Sequence, residues 1–425
     1  MFGAACSEPI NTIFHPIMHS NTRCLLVREI TEKRDDMGII IDSMTNLIGD
    51  EINEDNRNRP QPALTEEQLA HLYKRAKQHD LAHLVGDALI KREMLADPAV
   101  YKLYKREVLV AVYRYEQFCH ELNRIRETLN AAEISFIPLK GAVIRDYYPE
   151  KWMRTSGDID LLVHESDMEC AIRILTEKLG YTFKVKCDET VVMTYKEHTH
   201  VELHDSINEF DAERPTIFDD CWAYAHAVKD YEYQFENEFF LTHFYAHAAK
   251  HFAHGGCGVR PFIDCFLLNK KMPYDHEKLQ TMLVGEGVDR FAEAMEKLAE
   301  VWFANGRHNA VTERMAAFVL RGGVYGSLNN TMSVRQQQEK GVHGYLLRRL
   351  CIPYATLCEF YPILRKHPYL TPLYRVRRWF RAFMPRTRAS FRNDVRAISG
   401  ISEKNRSDTG FLLCELGLND FVPLE

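Results

Sequence analysis

At 425 residues the chain exceeds one typical core, and its length suggests two or three domains. Hydrophobic residues at 46% and charged residues at 27% are ordinary for a globular protein, and a formal net charge of -6 is small for this size, so whole-chain charge selects neither nucleic acid nor membrane as a partner. The eleven cysteines are scattered with no C-x-x-C pair, no apolar run approaches the roughly 20 residues that span a bilayer, and the N-terminus lacks the basic-then-apolar order of a signal peptide; the expectation is a soluble cytoplasmic protein with reduced thiols and no membrane span.

Residues 1–36 show no sustained hydrophobic period and read as a disordered arm. A helical region is expected over 37–131. In it "LTEEQLAHLYKRAKQHDLAHLVGDAL" spaces Leu, Tyr and Ala three to four apart, with Thr65 as an N-cap before two glutamates. An α/β core is expected over 132–207. It opens with "ISFIPLKG", an apolar run of strand length ending at Lys140-Gly141, and continues through the short helical "AVIRDYYPE". Then follow a strand at 157–163, a helix at about 165–179, hairpin strands at about 182–197 and the strand "HVELHDSI" over 200–207. A helical region over 208–330, broken by the glycines of "HGGCGVRP", and a basic helical region over 331–425 complete the chain. The expected fold class is α+β, a small mixed sheet flanked by N-terminal and C-terminal helical regions.

The stretch "RTSGDIDLLVHE" carries the chemistry. Side chains alternate along a strand, so Asp158 and Asp160 share one face while Ile159 and Leu161 take the other. Adjacent carboxylates raise each other's pKa unless a cation sits between them, and Mg²⁺, which takes one or two carboxylates plus phosphate oxygens, is the natural candidate. An isolated D-x-D is more often a solvated strand end. The Gly157 turn and the apolar "LLV" argue otherwise, as does Glu202, which lies on a strand whose other face is Val201 and Leu203. Three carboxylates from neighbouring strands suit two Mg²⁺ ions, which stabilise attacking and leaving oxygens in displacement at phosphorus.

"IPLKG", "RTSGDIDLLV" and "VELH", continuing through "HAAKH", "VRPFID" and "YPILRKHPYLTPLYRVRRWFR" over roughly residues 65–385, resemble the uncharacterised bacterial nucleotidyltransferase family of the DNA polymerase β-like superfamily. The resemblance implies transfer of a nucleoside monophosphate from a nucleoside triphosphate such as ATP to an acceptor hydroxyl on a small molecule, a protein or RNA. Asp158 and Asp160 would hold the metals, and Glu202 would complete the site and help deprotonate the acceptor. One departure stands out: the superfamily's phosphate-binding Gly-Ser pair is here Gly141-Ala142. Lys140 as a point charge, with the backbone amides after Gly141 as an anion site, is the expected substitute, and Arg154 is placed to reach phosphate or to pair with an acid.

Further along, "THFYAHAAKHFAH" stacks His243, His247, His251 and His254 on one side of a helix, where they suit zinc or phosphate, or merely a wet face. By the resemblance, His247 and His251 match the family's histidine pattern, followed by Arg260 and Asp264. This helix is expected to wall the cleft, with Arg260 near the nucleotide or paired to Asp264. His200 and His204 share the face of Glu202. Two rival functions remain: a catalytically silent nucleotide-binding or regulatory protein of the same fold, and a metal-dependent phosphohydrolase built on the His204-Asp205 doublet. Between Arg348 and Arg396 twelve Lys and Arg face only Glu359 and Asp394, with interleaved aromatics, a composition that suits RNA or an anionic membrane as well as a solvated helix.

Overall fold

The computed structural model describes residues 38–53, 61–187, 190–195, 199–210, 215–304, 306–324, 326–338, 352, 354–382 and 401–419. The arm expected over 1–36 lies outside them, as does much of the basic end, at 339–351 and 383–400. The N-terminal region is helical as expected: α1 (38–52), α2 (Glu66–Gln78), α3 (Ala82–Lys91) and α4 (Pro98–Ala131). Thr65 and Gln68 form a full capping box at the start of α2, which satisfies two otherwise free amides. Asp97 caps α4 through the amides of Ala99 and Val100, and Pro98 occupies its first turn, where no amide hydrogen is needed.

A seven-stranded mixed sheet follows, in the order β3-β4-β5-β2-β1-β7-β6. Its strands are β1 (Phe136–Pro138), β2 (Asp158–Val163), β3 (Thr182–Cys187), β4 (Thr190–Tyr195), β5 (Thr199–His204), β6 (Ala225–Lys229) and β7 (Glu232–Phe235). β2 lies at the centre, antiparallel to β1 and parallel to β5. The crossover between them carries α6 (Met168–Leu179), closed by Gly180 at φ 76°. Between β1 and β2 stand α5 (Gly141–Ile144) and a 3₁₀ turn (Arg145–Tyr147). β6 and β7 fall outside the 132–207 span and were not expected. Their signal is weak: "AHAVK" is mostly exposed, the turn needs Asp230 at φ 51°, and β7 meets β1 through a single registered pair, Phe136 with Glu232.

Alternation gives the sheet a dry and a wet face. Ile159, Leu161 and Val163 of β2, Val201 and Leu203 of β5, and Val191 and Met193 of β4 pack with Phe118, Leu122, Ile125 and Leu129 of α4 and Met168, Ala171 and Leu175 of α6. Each fully buried side chain of this kind contributes about 1.5–3 kcal/mol, which fixes the register and offsets the cost of the charges opposite. Beyond the wet face a second, larger core joins the N-terminal helices to α7 (Asn237–Ala253), α8 (Arg260–Lys271), α9 (His276–Glu286), α10 (Asp289–Phe303) and α11 (Ala310–Arg321). α12 (Leu328–Gln338) then leads to α13 (Tyr354–Phe360), α14 (Ile363–Lys366), α15 (Thr371–Ala382) and α16 (Glu403–Glu415), the last packed on α11 and α12. No helix among the described residues is long and apolar enough to cross a membrane.

Candidate active site

The parallel register of β2 and β5 pairs Asp158 with His200, Asp160 with Glu202 and Leu162 with His204. Period two therefore sends Asp158, Asp160, Glu202 and His204 to the wet face together. Asp160 is buried, and its Oδ1 lies 3.3 Å from His204 Nε2, which is 3.8 Å from Glu202 Oε2. Ligand atoms of Asp160, Glu202 and His204 all fall within 4.8 Å of one another, the one such convergent group of His, Cys, Asp or Glu among the described residues. His204 joins Asp160 and Glu202 in this set, and Asp158 lies two residues before Asp160 on the same face.

The charges crowd one another. Burial, then the negative charge of Asp160, pushes the Asp158 carboxyl up against the pull of Lys140 and Arg154. Glu202 is likewise raised, by burial and then by Asp160 and Asp158. Burial also works upward on Asp160, but the hydrogen bond with His204, then the positive charge of Lys140 and the nearby imidazoles of His204 and His247, outweigh it and hold this carboxyl at about 2. Oxygen donors that repel each other in this way fit a divalent cation, whose charge would relieve the repulsion.

Lys140 lies near both the acids and the histidine helix, since its charge acts on Asp158, Asp160 and Glu202 and on His243, His247 and His251. It adopts φ 35° and ψ -101°, a conformation costing of order 1–3 kcal/mol that the surroundings must enforce. They do so through Arg145, whose Nε donates to the Gly141 carbonyl at 2.7 Å while its guanidinium lies 3.6 Å from the Phe118 ring centre. Ser156 packs so closely on Gly141 that a Cβ there would clash with its Oγ. The amides expected to form an anion site turn inward instead: Ala142 donates to Leu139, and Val143 and Ile144 donate to Lys140. Gly141 thus serves close packing. Ser156, packed on Gly141, accepts from Arg145 at 3.2 Å and from Arg154 at 2.9 Å.

Arg154 makes no hydrogen bond to Asp158 or Asp160 among the described contacts. It makes a two-pronged, buried pair with Asp264, Nε to Oδ1 at 3.0 Å and Nη2 to Oδ2 at 2.9 Å, and Tyr148 donates to the same carboxylate at 2.7 Å. Arg260, expected near the nucleotide or on Asp264, pairs with Asp80 rather than with Asp264, and Asp80 also accepts from Thr155 at 3.0 Å. The reason is position: Arg260 opens α8 and reaches toward the α2–α3 turn, while Asp264, a turn later, faces into the core.

On α7 the organiser is Glu209, which sequence did not single out because it follows β5 in a polar loop. Its Oε1 accepts from His247 Nδ1 at 2.6 Å and lies 3.4 Å from His243 Nε2, and its Oε2 pairs with Lys250 at 3.1 Å. These partners hold the Glu209 carboxyl well below its ordinary value despite burial. Burial, then Lys140, pushes His247 down to about 3, so it is neutral; with Nδ1–H on Glu209, its bare Nε2 accepts from His251 Nε2 at 3.0 Å. His254 turns Nδ1 onto the Lys250 carbonyl at 2.6 Å. The four histidines therefore do not converge as a zinc site. His243, His247 and His251, each pushed down first by burial, wall the acids with neutral imidazole. The His204-Asp205 doublet lies at a strand end, which does not supply the helical doublet of the phosphohydrolase reading.

The family described as "uncharacterised nucleotidyltransferase" matches residues 65–304, from the N-cap of α2 through the end of α10, and leaves the basic end outside the match. No curated protein and no solved structure matches the chain. With the sheet, the acids and more than half its length inside that match, the chain belongs to this uncharacterised nucleotidyltransferase family.

Proposed function

We propose that the protein moves a nucleoside monophosphate from a nucleoside triphosphate to an acceptor hydroxyl with the help of divalent cations. The observation that supports this most is the pairing of Asp160 with Glu202 across two parallel strands, with Asp158 on the same face and the Lys140 charge acting on them. Asp158, Asp160 and Glu202 would hold the metal, with two Mg²⁺ ions as the expected complement. A bound divalent ion supplies charge stabilisation for the attacking and leaving oxygens of an in-line displacement. The Lys140 ammonium meets triphosphate oxygens as a point charge, with the neutral His251 imidazole on the wall beside it. Glu202, raised and about a third exposed on its side chain, takes the proton of the acceptor hydroxyl as its oxygen bonds the α-phosphorus and pyrophosphate leaves. The dry core behind β2 and β5 keeps the acids in place throughout.

The test is labelling. An α-labelled triphosphate with Mg²⁺ and a cell extract should label one class of acceptor, and Asp160→Asn should abolish labelling without loss of native circular dichroism. Equal labelling by the variant sinks the assignment. The inward-turned amides after Gly141 favour a second reading, a catalytically silent nucleotide-binding or regulatory protein. That reading expects thermal stabilisation by nucleotide with Mg²⁺ and no product. An RNA acceptor would show binding that weakens steeply with salt.

A further inference from the structure

We propose that His204 is itself a metal ligand, and that the ion it shares with Asp160 and Glu202 is a first-row transition-metal dication such as Mn²⁺ rather than Mg²⁺. This rests on the reading that the acids bind a cation. It concerns only the position on the β5 side, leaving the oxygen-only position near Asp158 to Mg²⁺.

Geometry carries the argument. His204 occupies the even face of β5, two residues beyond Glu202, and its side chain is 13% exposed. Its ring is held from behind: Thr190, its registered partner on β4, places Oγ1 3.0 Å from Nδ1. Metal-ligating imidazoles are oriented in this way through their second nitrogen, which leaves the other bare and aimed at the ion. Here the aimed nitrogen is Nε2, 3.3 Å from Asp160 Oδ1 and 3.8 Å from Glu202 Oε2. Donors around one ion at about 2.0–2.2 Å stand roughly 3 Å apart when adjacent and about 4.4 Å when opposite, so these separations suit a shared ion. Without a metal His204 Nε2–H bonds Asp160, and at 3.3 Å this contact is longer than the about 2.7–2.9 Å of a closed charge-assisted hydrogen bond, a spacing at which an ion can take the place of the proton. Mg²⁺ prefers oxygen donors and avoids imidazole, whereas Mn²⁺, Fe²⁺, Co²⁺ and Zn²⁺ accept a mixed set of carboxylate and imidazole.

The experiment uses the full chain freed of metal and titrated with Mn²⁺, read by electron paramagnetic resonance. Pulsed spectra of the unaltered protein should show coupling of bound Mn²⁺ to a nitrogen nucleus, and His204→Gln should remove it. The same variant should lower Mn²⁺ affinity about tenfold or more while changing Mg²⁺ affinity, measured by calorimetry, by less than about threefold. Thr190→Val should keep the nitrogen coupling but loosen Mn²⁺ several-fold, because only the orientation of the ring is lost. Mn²⁺ bound in an Asp160-dependent manner with no nitrogen coupling overturns the role of His204 and leaves the acidic site standing. Binding of both ions that ignores Asp160→Asn overturns this proposal together with the reading it rests on.

Discussion

Replacing Asp264 by Asn removes the charge that holds Arg154 in the protein interior. The two side chains are 10% and 4% exposed, and they meet through two hydrogen bonds while Tyr148 donates a third. Removing one partner of such a pair strands a guanidinium in low dielectric and costs about 3–5 kcal/mol. That is a large share of the roughly 5–15 kcal/mol by which native proteins are stable, and it shifts the unfolding equilibrium by about two to four decades. Urea unfolding followed by circular dichroism measures it. A second variant isolates the cause: Arg154→Met with Asp264→Leu removes both charges and should recover about 2 kcal/mol, leaving about 1–3 kcal/mol for the Tyr148 hydroxyl that has lost its acceptor. If Asp264→Asn costs under about 1 kcal/mol, or the double variant is no more stable than the single one, the ion pair is not what ties α8 to the entrance of β2.

Other outcomes follow from the same geometry. Gly141→Ala should destabilise by about 1–3 kcal/mol, because its methyl would displace Ser156 and crowd Arg154 Nη1 at 3.0 Å; an unchanged melting temperature would contradict this packing. Lys140→Gly should raise the melting temperature by relieving about 1 kcal/mol of strain at φ 35° while weakening triphosphate binding, and a fall in both would show that the strain is absent. Burial holds His79 and His83 at about 4, against an ordinary 6.5. The unfolded chain therefore binds protons that the folded chain refuses. Stability should be intact above about pH 6.5 and fall between there and about pH 4, with each histidine costing roughly 2 kcal/mol at pH 5. Melts at pH 7 and pH 5 that coincide would rule this out.

The wet and dry faces of β2 and β5 were legible because period two is written into "DIDLLV" and "HVEL", where charge and aliphatic side chains alternate without a break. The pairing of Asp160 with Glu202 needed only that the two strands be neighbours. Partnerships made across long stretches of chain were not legible. The four-residue spacing of Arg260 and Asp264 invites an ion pair within one helix, yet the fold spends them on Asp80 and Arg154, 180 and 110 residues away. Glu209 left no local pattern at all, and only the docking of α7 gives it three basic partners. No spacing ties Ser156 to Gly141 in the sequence, yet it packs on that glycine from the far end of the loop.

The backing of β2 by α4 and α6 also limits how this gene can drift. Insertion or deletion of one codon within the six-residue strand would turn Asp158 and Asp160 into the aliphatic layer and expose Ile159 and Leu161. Neither half of that exchange can be repaired by a neighbouring substitution. Changes of length should therefore collect in the connections around the strand, while the strand itself keeps its count.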